Sequence, residues 1–135
     1  EFIINTLGEG WTLATITSEK EQADVSSLIY GKGTEFWLGG FQYGIEEDAV
    51  WSWITAEEMN YTNWALLEPN DYYGRISEQY MGMWASSGAW NDEGNLGNIS
   101  GFVAEEAPAP VPEPATLMLL GGGLLGLAAF LRKKQ

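Results

Sequence analysis

Hydrophobic and polar positions along the first hundred residues change period several times, and each change marks an element. Trp11-Thr12-Leu13-Ala14-Thr15-Ile16 is apolar and β-branched and predicts a strand. Ser18 followed by Glu21 three residues later has the form of a capping box and predicts a helix start. Ala23, Leu28 and Ile29 lie near one face of that helix, Val25 falls off the stripe, and Gly31-Lys32-Gly33 stops it. Glu35-Phe36-Trp37-Leu38-Gly39-Gly40 predicts a short buried strand, and Ala49-Val50-Trp51-Ser52-Trp53-Ile54 alternates as another. Residues 55–79 are polar and rich in Asn, Asp, Glu and Tyr, a long loop of the kind that carries function in compact domains. Tyr80-Met81-Gly82-Met83-Trp84 and Gly101-Phe102-Val103-Ala104 predict strands flanking a turn. No repeat is visible. The pattern predicts an α+β domain of about 105 residues, an ordinary size for one domain.

The pattern breaks near residue 106. Glu106-Ala107-Pro108-Ala109-Pro110-Val111-Pro112-Glu113-Pro114 holds four of the five prolines and predicts an extended, semi-rigid segment. Residues 115–131 carry no charge, and Arg132-Lys133-Lys134-Gln135 follows. A helix over 115–131 rises about 1.5 Å per residue and reaches roughly 26 Å, the short end of a membrane span. A core helix would show polar positions every three or four residues, and this segment shows none. The basic end would be retained on the cytoplasmic side, leaving residues 1–114 outside.

Composition narrows the chemistry. The 135 residues hold 19 Asp and Glu against 6 Lys and Arg, a formal net charge of -13. Such a surface repels phosphate backbones and argues against a nucleic-acid partner. With no Cys and no His there is no disulfide framework, Cys nucleophile, Ser-His-Asp triad or imidazole-ligated zinc. Carboxylates, amides and hydroxyls remain, and these suit hard cations, calcium above all. Seven Trp, six Tyr and five Phe supply apolar mass for a small core. The chain opens at Glu1 without an initiator Met, which suggests a piece or processed form whose leader would lie upstream.

Two resemblances organise these residues. Pro112-Glu113-Pro114, the apolar segment and the basic end together resemble the PEP-CTERM sorting signal of Gram-negative bacteria. That resemblance implies export, exosortase as a partner, cleavage near the motif, and placement at the cell surface, often in makers of extracellular polysaccharide. Trp37-Leu38-Gly39-Gly40, Glu68-Pro69-Asn70 and Trp90-Asn91-Asp92 occur in order, after Leu13-Ala14-Thr15-Ile16 and a helix. With Trp51-Ser52-Trp53 and Tyr61-Thr62-Asn63-Trp64 they resemble a C-type lectin-like domain. The implied organisation is a lectin-like domain over 1–105, a linker over 106–111, and a sorting signal over 112–135 with a transmembrane helix at 115–131.

By that resemblance a calcium ion is held by Glu68, Asn70, Glu78, Asn91 and Asp92, and the bond before Pro69 is cis. These are hard oxygen donors, fewer than the roughly 6–8 that calcium takes, so water or ligand hydroxyls would supply the rest. Two sugar hydroxyls would each donate to Glu68 or Glu78 and accept from Asn70 or Asn91. The Glu-Pro-Asn form implies mannose-type diols or an exopolysaccharide presenting them. Tyr72 and Tyr73 are candidates for sugar contact, and Asp71 with Asp48 for a second calcium site. Gln79 stands where members with that second site carry an acid. The family's disulfides are absent, so packing by the tryptophans must replace them, with Trp37, Trp51, Trp53, Trp64 and Trp90 read as core. The implied function is calcium-dependent carbohydrate binding at the bacterial surface. The rival is a structural or adhesive protein that binds another protein through the same fold. The carboxylates could serve glycoside hydrolysis, but they are needed together around the ion, and no enzyme is expected.

Overall fold

The computed structural model describes residues 8–43, 50–74, 77–94 and 97–107. Its elements are β1 (Trp11–Leu13), α1 (Glu19–Ile29), β2 (Glu35–Tyr43), β3 (Val50–Trp53), β4 (Tyr80–Trp84), β5 (Trp90–Glu93), β6 (Ile99–Phe102) and β7 (Ala104–Glu106). This is the expected α+β arrangement.

β2 organises the main sheet. One of its edges pairs antiparallel with β4, which in turn pairs antiparallel with β5. The other edge is shared, with β6 parallel along the first half of β2 and β3 antiparallel along the second. A separate two-stranded sheet joins β1 to β7, pairing Trp11 with Glu106 and Leu13 with Ala104. The backbone N–H of Ala107 donates to Gly10 at 2.8 Å and continues that pairing by one step.

The strand expected over residues 11–16 ends at Leu13, because the next residues find other partners. Ala14 N–H donates to Val103 O at 2.9 Å, and Ala14 O accepts from Gly39 at 2.8 Å. Thr15 N–H donates to Glu105 Oε1 at 2.9 Å. The strand expected over 101–104 is two strands, broken at Val103, whose N–H donates to Trp37 O at 3.0 Å. β2 runs three residues past Gly40, and β5 is an element that the pattern left as a motif alone.

Ser18 caps α1, accepting from Glu21 N–H at 3.3 Å, while Glu21 reaches back to Thr17 N–H at 2.7 Å. Gly31, at φ +71, terminates the helix in a conformation that side chains resist. The buried face differs from the expected stripe. Ala23 and Leu28 face solvent, and the inward positions are Gln22, Val25, Ser26 and Ile29. Gln22 is buried because its amide is fully used. It donates to Gly88 O at 2.8 Å and accepts from Trp90 Nε1 at 2.8 Å.

Trp90 is the hub of the core. It meets Trp53, Tyr61 and Trp64 edge-to-face at 5.5, 5.8 and 5.7 Å. Trp51 packs on Trp64 at 4.8 Å. Ile16, Leu38, Met81 and Met83 complete the interior, and Trp37 is half-buried against Tyr80. The tryptophans thus form much of the aromatic core of a domain that has no cysteine. Among the described residues no helix is long and apolar enough to cross a membrane. The expected span at 115–131 and Pro112, Glu113 and Pro114 lie outside the described residues.

Candidate functional site

The site grows from the β4–β5 pair. Trp90 points into the core and fixes the start of β5, so Asn91 and Asp92 follow on opposite faces of the strand. Asp92 is 1% exposed and receives the long loop. Its two carboxylate oxygens accept from Asn70 N–H at 3.0 and 3.1 Å, and one also accepts from Asp71 N–H at 2.7 Å. Glu78, just before β4, accepts from Tyr72 N–H. The loop therefore wraps three consecutive backbone N–H groups around two buried carboxylates.

Within the loop the Glu68–Pro69 bond is cis, as expected. Leu67 before it and Asp71 after it have positive φ, 72° and 46°. Asp71 Oδ1 accepts from Ser77 N–H at 3.0 Å and Glu78 N–H at 3.1 Å, closing the loop on itself. Asp48, proposed to share a second ion with Asp71, lies outside the described residues. The Nε2 of Gln79 is buried without a partner. Tyr72 and Tyr73 are exposed and stack edge-to-face at 5.2 Å, beside the loop motif.

The electrostatics are those of acids crowded together. Burial pushes the Glu68 carboxyl up to about 7, helped by its hydrogen bond to Asp92 and the charges of Asp92, Glu78 and Glu35. Burial and the Asp92 charge push Glu78 up to about 7 against the pull of Tyr72 N–H. Glu35, at the start of β2, is also pushed up to about 7, by burial first, with Asn91 pulling it back and Glu93 adding repulsion. Glu68 Oε2 is buried without a hydrogen-bond partner. The one ion pair among the described residues, Lys20 with Asp24, is exposed on α1.

Glu68, Asn70, Glu78 and Asp92 are thus gathered by the loop, Asn70 through its backbone. Asn91 is turned to Glu35, donating from Nδ2 to Oε1 at 3.3 Å. As the side chains stand, no group of three acids among the described residues converges to hold a metal ion. The donor set nonetheless fits a hard cation: carboxylate and amide oxygens, one of them orphaned, with backbone N–H groups now supplying the positive partner. Sequence reasoning missed Glu35. An acid opening a strand that is otherwise buried is the signal that could have found it.

A mixed sheet with one helix, a long irregular loop and a cis-Pro acidic site is the architecture of a lectin-like recognition domain. The chain belongs to the C-type lectin family, whose domain (Lectin C-type domain) matches residues 8–96. A PEP-CTERM protein-sorting motif matches residues 110–134, marking export to the cell envelope or beyond. A C-type lectin of the snake Micrurus corallinus is 32% identical over 88 residues, 62% of this chain and 53% of that protein. The chain spans about half of that lectin's length and only 6% of the human secretory phospholipase A2 receptor, which it also matches. Among solved structures, the cow C-type carbohydrate-recognition domain of CD23, determined with a GlcNAc2Man3 oligosaccharide, is 25% identical. Its TM-score is 0.58, over 80% of this chain and 78% of that one. A calcium-independent type II antifreeze protein is 26% identical with a TM-score of 0.59, over 77% and 75%.

Proposed function

We propose that the domain binds carbohydrate in a calcium-dependent manner, at the bacterial surface or in its matrix, and is non-catalytic. One observation carries this reading: Glu68 and Glu78 are gathered with the buried Asp92 closely enough that its charge raises the proton affinity of both, with no cation beside them among the described residues. Glu68, Asn70, Glu78, Asn91 and Asp92 would hold the ion. Bound calcium would supply the positive charge that lets these carboxylates ionise together, and open coordination positions for a diol. Glu68 and Glu78 accept the protons of the two hydroxyls, and the amide N–H groups of Asn70 and Asn91 donate to the hydroxyl oxygens. The expected diol is mannose-type, and Tyr72 and Tyr73 flank it with exposed rings. Exosortase would be the processing partner, acting near Pro112-Glu113-Pro114.

Calorimetric calcium titration with a glycan array tests this. Calcium is expected to raise the melting temperature by ligand linkage, and array binding is expected to vanish in EGTA. Glu68→Gln with Asn70→Asp is expected to shift preference toward galactose, and an unchanged preference would sink the contact geometry. A second reading, calcium-independent capture of a protein, is favoured by two observations. Backbone N–H groups already satisfy Asp92 and Glu78, and one similar structure is named as calcium-independent. Protein capture unaffected by EGTA, with no glycan bound on the array, would select it.

A further inference from the structure

Glu35 is 1% exposed, and its side chain takes an unusual route. In the sheet register Glu35 lies opposite Trp84, and Gly82 lies opposite Asn91. The Glu35 side chain crosses β4 diagonally, over Gly82, to reach Asn91 on β5. The route is open only because residue 82 is glycine. A Cβ there would stand 2.1 Å from Glu35 Oε1 and 2.8 Å from its Cδ. The Trp84 side chain also hydrogen-bonds the carboxylate. A buried acid, a gap in the neighbouring strand and an indole donor together aim one carboxylate at one amide.

The two ends of that amide are not equivalent, since NH₂ donates and the oxygen accepts. Asn91 turns its NH₂ toward Glu35, Nδ2 donating to Oε1. The carbonyl oxygen Oδ1 and the second N–H stand outside that contact. We propose that Glu35 is a positioning residue that fixes the orientation of the Asn91 amide, so that Oδ1 is offered to the cation. This rests on the calcium reading above. It assigns work to a residue outside the loop motif and the Trp90-Asn91-Asp92 segment.

The test is calcium affinity by calorimetry in two Asn91 backgrounds, with melting in EGTA as a control for folding. Glu35→Gln removes the acceptor-only group, and Glu35→Asp keeps the charge but withdraws it from Asn91. Both are expected to weaken calcium binding about tenfold or more, the usual effect of losing a partner that orients a ligand. With Asn91→Ala present, neither is expected to change affinity further, because the effect passes through the amide. Melting of Glu35→Gln in EGTA is expected at or above that of the unsubstituted protein, since a buried charge is gone. Equal losses in both Asn91 backgrounds, or a Glu35→Asp variant of full affinity, would show that Glu35 acts by charge alone and overturn the proposal. If Glu35→Gln does not fold, Glu35→Asp decides by the same comparison. Unsubstituted protein without calcium affinity overturns the calcium reading itself, and the positioning role with it. Normal affinity with unaffected variants overturns only the positioning role.

Discussion

Leu67 holds φ at 72° while its side chain is 82% exposed, directly before the cis Glu68–Pro69 bond. Nothing packs that side chain well enough to offset a left-handed backbone, which costs a non-glycine residue about 1–3 kcal/mol. Leu67→Gly is therefore expected to stabilise the calcium-free domain by about 1 kcal/mol, even after the entropy that glycine adds to the unfolded chain. Urea denaturation with an unchanged slope checks it, and a lower midpoint would show that Leu67 packs in solution. At this scale the acids of the site were legible because they stand in or beside short motifs that follow one another in a fixed order. Glu35 was not, because its partner Asn91 is 56 residues away and reached only across the fold.

At the scale of elements, α1 shows how a tertiary contact overrides a local pattern. A buried helix position is ordinarily apolar, and the stripe of Ala23, Leu28 and Ile29 followed that rule. Gln22 breaks it by serving Trp90 Nε1 and Gly88 O at once. Gln22→Leu is expected to destabilise the domain by about 1–3 kcal/mol, because the buried Trp90 indole N–H loses its acceptor. Gly88 O retains Asn63 Nδ2 at 2.8 Å, so the loss is specific to the indole. Thermal melts of this variant against Ala23→Leu, on the exposed face, separate the two faces of the helix. The strands were legible where apolar residues dominate, as in β4. β5 was not, since three of its four residues, Asn91, Asp92 and Glu93, are polar and only the fold buries the two acids.

For the whole molecule, charge decides how stability follows pH. Glu35, Glu68 and Glu78 are each raised from 4.5 to about 7 in the folded state. A group whose folded pKa is raised stabilises fully below its unfolded value and loses that contribution as pH climbs through the folded one. The calcium-free domain is thus expected to melt lower at about pH 8 than at about pH 5.5. Calcium at the higher pH is expected to remove most of that difference by binding the ionised form. Melts at the two pH values, each with EGTA or calcium, check this. A calcium-free protein most stable at the higher pH would contradict it. The net charge of -13 already pointed to oxygen chemistry and hard cations. It did not say that these acids sit beneath the sheet and loop, since burial follows from topology.

The pairing of Trp11 with Glu106 means that the chain enters and leaves the domain at one pole. A tether at the sorting end and any chain upstream of Gly8 pull at that same pole. Tension along the chain would then unzip β1 from β7 one bonded pair at a time, leaving β2, β4 and β5 unloaded. A pull between the tail and a ligand on the long loop instead travels through the main sheet, so the domain would be mechanically soft along its own chain and stiffer toward what it grips.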